Sequence, residues 1–151
     1  MKKLFKTIIL IMVVCLSATL WASGNKEELN VKNYFQFVIP KYHTSRQSGQ
    51  TVTIYVRYAY KKDLDQGQYP DYRILRSAVL KYMEPSTELP EHIFWEILAT
   101  QMGKELMKDY PLEGVSIQLK VLDNQNPNSY EPGDHGPTFT VGEIEPLDAH
   151  Y

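Results

Sequence analysis

Thr51-Val52-Thr53-Ile54-Tyr55-Val56-Arg57-Tyr58-Ala59-Tyr60 decides the fold. In an extended chain Val52, Ile54, Val56, Tyr58 and Tyr60 fall on one face, and Thr51, Thr53, Tyr55, Arg57 and Ala59 on the other. A strand with one apolar and one polar face belongs to a sheet covered on a single side. Val115, Ile117, Leu119 and Val121 repeat the pattern against Ser116, Gln118 and Lys120. Upstream, residues 34–39 form a β-type run that Pro40 is expected to stop, and residues 41–50 read as a hairpin loop. Residues 138–142 read as a short fourth strand.

Two helical patterns separate the strand pairs. Asp71 suits the N-cap of the first, where its carboxylate can accept the free amide hydrogens of the opening turn. Ile74, Leu75, Ala78, Val79, Tyr82 and Met83 make its apolar stripe, which Pro85 ends. Pro90 suits the first turn of the second helix, since a missing amide hydrogen costs nothing there. Ile93, Phe94, Ile97, Leu98, Met102 and Leu106 form the second stripe, with Trp95 beside it, and Tyr110-Pro111 closes the helix. The order is ββααββ. It predicts an α+β domain: one antiparallel four-stranded sheet with two helices on one face. The polar face should then see water or line a channel between subunits.

The amino end has a different character. Lys2, Lys3 and Lys6 precede an uncharged apolar run over residues 7–20, and Ala22-Ser23-Gly24 supplies small residues for cleavage before Asn25. That layout predicts a signal peptide over residues 1–24 and a periplasmic or secreted protein. The run is shorter than the ~20 residues a membrane span needs, so no stable anchor is expected after cleavage. Val14 precedes Cys15, which excludes a lipid-modified cysteine, and the chain from residue 25 contains no cysteine for disulfide or thiol chemistry. A polar leader over residues 25–32, one domain over residues 33–145 and an acidic tail over residues 146–151 complete the organisation. Removing Lys2, Lys3 and Lys6 from 16 basic residues leaves 13 against 18 acidic ones. A chain with that balance does not suit a phosphate backbone, so no nucleic acid is expected as partner.

The ββααββ order with these element lengths, over roughly residues 35–141, resembles the tunnelling fold shared by dihydroneopterin aldolase, pyruvoyl-tetrahydropterin synthase, a GTP cyclohydrolase class and urate oxidase. Asp71-Tyr72-Arg73-Ile74-Leu75 resembles the segment opening the first helix of dihydroneopterin aldolases, and Leu89-Pro90-Glu91-His92-Ile93 the start of their second. The resemblance implies a homo-oligomer with ligand sites between neighbouring subunits. It also implies a small heterocyclic ligand, held by Glu91 with Tyr72 and His92 as further contacts. A carboxylate can accept two parallel hydrogen bonds from a guanidine-like ring edge. The aldolases' proton-transfer lysine is not carried over. Lys120 lies on the Ser116/Gln118 face and is followed by Val121-Leu122 rather than by a nearby proline. His43, His92, His135 and His150 are scattered and do not form the synthase's zinc-binding pair, and Lys61-Lys62-Asp63 echoes the urate oxidase relay only in a charged loop.

Simpler roles compete with these. Glu91 can be a first-turn acid that favours the helix dipole, and His92 a partly exposed helix residue. Glu131, Asp134 and His135 could offer three donors to a metal, but turn chemistry accounts for Pro132, Gly133, Asp134 and Gly136 without one. Most of the 11 tyrosines, among them Tyr58, Tyr60, Tyr72 and Tyr82 on the apolar stripes, read as core. The expectation is an exported, non-catalytic binding or assembly component of the cell envelope, with no cofactor and no metal. The alternative is an exported enzyme acting on a pterin- or purine-like heterocycle.

Overall fold

A computed structural model describes residues 33–122 and 135–147. The alternating segment becomes β2 (Gln50–Tyr60), flanked by β1 (Phe35–Thr44) and β3 (Leu112–Leu122), with β4 (Thr138–Gly142) beyond β3. All neighbours pair antiparallel in the order β1-β2-β3-β4. Two helices, α1 (Tyr72–Leu80) and α2 (Trp95–Asp109), connect β2 to β3. They cover the face that carries Val52, Ile54, Val56 and Tyr58 together with Val115, Ile117, Leu119 and Val121, all buried in one core with Leu75, Val79, Leu98 and Met102. The α+β architecture and the strand faces match the pattern of the sequence. None of the helices among the described residues is long and apolar enough to cross a membrane. The signal-peptide segment, the polar leader, Glu131, Asp134 and residues 148–151 lie outside the described residues.

β1 does not stop at Pro40. Its register shifts between Ile39 and Tyr42, and Lys41 takes φ +47° at the irregularity. The strand then resumes, pairing Tyr42, His43 and Thr44 with Val52, Thr51 and Gln50. An edge strand tolerates proline at a bulge because the missing N–H can face away from the ladder. Here the Lys41 N–H turns to Thr53 Oγ1 at 3.1 Å. The expected ten-residue loop therefore contracts to residues 45–49.

Asp71 caps α1 as expected, accepting the Arg73 N–H at 2.9 Å. Leu75, Ala78 and Val79 are buried, and Tyr82 and Met83 continue the stripe past the helix end, whereas Ile74 turns to solvent. The Arg73 guanidinium grips the same carboxylate and holds the Asp71 pKa down at about 2. Because the folded value lies below the ordinary value of about 3.9, the contribution of this cap is present above that value. It is lost as pH falls through the folded pKa. A carbon-detected titration of Asp71 is expected to give a midpoint near 2; a midpoint near the ordinary value would mean that the Arg73 contact does not form in solution.

α2 begins at Trp95, five residues later than Pro90. A helix started at Pro90 would spend the Pro90 carbonyl on the N–H of Phe94. That carbonyl instead accepts from Arg46 Nη1 at 2.7 Å and closes a turn with the Ile93 N–H at 3.3 Å. The late start rotates the buried stripe to Trp95, Leu98, Ala99, Met102 and Leu106, while Phe94 and Ile97 are exposed. At Gly103 the helix runs so close to β4 that a Cβ atom would lie 2.5 Å from the Phe139 ring.

The polar face also differs from expectation. Thr53, Ser116 and Gln118 are buried there, and at Ser116 residues beyond β4 turn back over the face, the Leu147 N–H donating to its hydroxyl. This part of the face is closed by the chain itself.

Candidate functional site

The site is built on a buried arginine. Arg46, in the hairpin between β1 and β2, has no exposed surface. Its Nε donates to the Tyr82 carbonyl at 2.7 Å, Nη2 to that of Glu84 at 2.8 Å, and Nη1 to that of Pro90 at 2.7 Å, with Leu89 O within 3.4 Å. The planar fork of the guanidinium suits this multiple role, since one rigid group presents five donors. Burial lowers the Arg46 pKa, and the negative charge of Glu84 partly opposes the shift. The Glu84 carboxylate accepts from Tyr42 Oη at 3.0 Å and Ser45 Oγ at 2.9 Å, and the Thr44 hydroxyl donates to the Met83 carbonyl. The connection between the helices is thereby tied to the hairpin.

This tie sets Glu91. Its carbonyl accepts the Gln47 N–H at 3.4 Å, and its Oε1 accepts the Ser48 N–H at 3.2 Å. Gln47 Nε2 reaches the Ile93 carbonyl at 3.2 Å. Gln47, Ser48 and Gly49 take φ values of +50°, +67° and +89°, so the hairpin curls toward the start of α2. Glu91 therefore stands before α2 rather than in its first turn, and the helix-dipole role expected for it does not apply. It is half-buried, and the exposed His92 follows it.

An open cleft of about 500 Å³ lies between the hairpin and the α2 terminus. Gln47 and Ser48 form one side, and His92, Phe94, Trp95 and Glu96 the other, with His135 also at its wall. His135 arrives through a bridge to Val121, with backbone bonds in both directions, which sets it at the hairpin end of β3. Phe94 is 70 % exposed and offers a ring to the opening, whereas Trp95 is buried and its Nε1–H finds no acceptor among the described residues. Among the described residues no three His, Cys, Asp or Glu side chains come together as a metal-binding set.

Tyr72 lies elsewhere. Its ring packs 6.3 Å from that of Phe37, whose strand partner is Val56. That is six residue steps along β2 from the hairpin end, roughly 20 Å. One chain thus brings His92 and His135, but not Tyr72, to the cleft, with Glu91 attached to its wall through Ser48. The sequence reading missed Arg46, Gln47, Ser48 and Trp95 as parts of this site. A run of five polar or charged residues, 44–48, was the only local sign of Arg46, Gln47 and Ser48.

No protein-family model and no curated protein matches the sequence. Solved structures do match the fold. A protein assigned as a dihydroneopterin aldolase from Vibrio cholerae is 16% identical, with a TM-score of 0.51 over 72% of this chain and 97% of that one. The dihydroneopterin aldolase of Burkholderia thailandensis, solved bound to guanine, is 12% identical, with a TM-score of 0.51 over 74% of this chain and 93% of that one. The archaeosine synthase QueF-like protein, in its apo form, is 8% identical, with a TM-score of 0.52 over 76% and 99%. At these identities the likeness shows the fold alone. The chain has the tunnelling fold, as the ββααββ order implied.

Proposed function

We propose that the protein is an exported, non-catalytic binding component of the cell envelope, which holds a planar nitrogen heterocycle in the cleft beside Glu91. The observation that carries this reading is the position of Glu91. Its carboxylate accepts the N–H of Ser48, which lines the cleft, and the exposed ring of Phe94 lines the same cleft. A carboxylate so fixed is preorganised to accept paired N–H groups from a ring edge, and Phe94 offers a stacking face. Guanine in the Burkholderia thailandensis structure is a ligand of this chemical kind. The absence of the proton-transfer lysine from the expected position, and the export signal, favour binding over turnover.

The complete site takes two copies. Residues 84–96 carry Glu84, Glu88, Glu91 and Glu96 and no lysine or arginine, with Phe94 and Ile97 exposed nearby. The far end of the layer carries Lys61, Lys62, Arg73 and Arg76 against Asp63, Asp65 and Asp71, with Arg73 paired to Asp71, and exposes Tyr69, Tyr72 and Ile74. Matching apolar surface, with a slight positive surplus facing the acidic end, favours a head-to-tail contact, in which Tyr72 of one copy meets Glu91 and His92 of the next. A second reading, an enzyme acting on a pterin- or purine-like ring, draws on the meeting of His92 and His135 at the cleft, because two imidazoles there could move protons.

A thermal-shift panel of pterins and purines tests the proposal. Glu91→Ala is expected to change stability by less than ~1 kcal/mol, the worth of one exposed hydrogen bond, while abolishing any ligand-induced shift. A ligand that stabilises the wild type and Glu91→Ala equally would remove Glu91 from the site. Consumption of the ligand by the wild type would select the enzyme reading.

A further inference from the structure

The polar face of the sheet carries a second constellation of donors, outside the cleft. Beyond β4 the chain turns at Gly142, φ +79°, and the next residues lie over β3 and β2. Arg57 Nη1 donates to the carbonyls of Glu145 at 3.2 Å and Pro146 at 2.8 Å. The Leu147 N–H donates to Ser116 Oγ at 2.9 Å, and that hydroxyl also bonds Thr140 Oγ1 at 2.8 Å. Gln36 Oε1 accepts from Arg57 Nε, and the guanidinium lies over the Tyr34 ring, 5.8 Å from its centroid. Ser116 has no exposed surface.

These bonds read only backbone: two successive carbonyls and the following N–H. Proline suits the middle position because it has no N–H to leave unsatisfied, and it biases the residue before it toward an extended conformation. Glu145 and Pro146 keep their side chains in solvent. Tyr34, whose ring lies under the Arg57 guanidinium, has a buried Oη without a partner among the described residues. We infer that Arg57, Ser116 and Tyr34 form a binding floor for an extended peptide with a central proline. The chain's own Glu145-Pro146-Leu147 occupies it as a tethered ligand that an untethered segment of the same kind can replace.

Tethering supplies an effective concentration on the order of mM, so competition is best read where the strap is loosened. In the full chain, Leu147→Pro removes the N–H that Ser116 accepts and leaves the floor unchanged. Addition of the peptide acetyl-Ile-Glu-Pro-Leu-Asp-amide is expected to shift the Arg57 Nε and Ser116 amide resonances saturably in this variant. Affinity for the wild type should be at least about tenfold weaker, as the tether competes. Adding Arg57→Gln should abolish the response. A dispersed Leu147→Pro spectrum without saturable shifts, or equal binding after Arg57→Gln, would overturn the inference. Should Leu147→Pro not fold, amide exchange decides. Arg57→Gln alone is expected to speed exchange of the Leu147 N–H at least about tenfold by opening the strap, and an unchanged rate would contradict the tether.

Discussion

Arg46→Leu is expected to lower stability by about 3 kcal/mol, because it strands carbonyls in a closed space rather than merely removing a charge. Tyr82, Glu84, Leu89 and Pro90 all lose the donor that joins them to the hairpin. For a domain of this size the loss corresponds to a fall of roughly 10–15 °C in unfolding temperature. Arg46→Lys should recover little of it, since a single ammonium cannot span carbonyls that a planar fork reaches together. The same substitution should loosen Glu91 through Gln47 and Ser48, so heterocycle affinity should fall with stability. A melt of Arg46→Leu within a degree or two of wild type would show that the hairpin and the helix connection are held by something else.

Leu98→Asp should unfold the domain, and Ile97→Asp should not. Leu98 has no exposed surface and sits in the helix–sheet core, so a carboxylate there is buried without a partner. Such burial costs about 4 kcal/mol or more, comparable with the whole stability of a marginal domain. Ile97 is 43% exposed, and its replacement should cost under about 1 kcal/mol. Circular dichroism of the two variants checks the pair. Equal unfolding by both would mean that α2 faces the sheet with the stripe first read from the sequence.

That stripe shows where sequence reasoning stops. β2 and β3 were legible because alternation is local and each strand states its own faces: Val56 against Arg57, Ile117 against Ser116. Asp71 was legible because a cap is satisfied two residues away. The start of α2 was not, because Pro90 is a correct local signal overruled by Arg46, 44 residues distant. Arg46 itself looks like any loop cation until its carbonyl partners are known. Glu91 and His92 were singled out by resemblance; His92 lines a cleft, and Glu91 accepts the N–H of Ser48, which lines it too. Gln47, Ser48 and His135 were not, because a hairpin curl and a β-bridge bring them there. The burial of Ser116 on the polar face was hidden for a similar reason, since the chain returns to it after Gly142.

The central proposal is a heterocycle site shared between Glu91 of one copy and Tyr72 of the next, and subunit mixing tests it most directly. Glu91→Ala and Tyr72→Ala should each abolish calorimetric binding of guanine when assembled alone. Co-assembled in equal amounts, they should regain it at about one site in four, where an intact Glu91 faces an intact Tyr72 across a head-to-tail contact. Binding that stays absent in the mixture, while both variants remain folded and oligomeric, would contradict a site shared between copies.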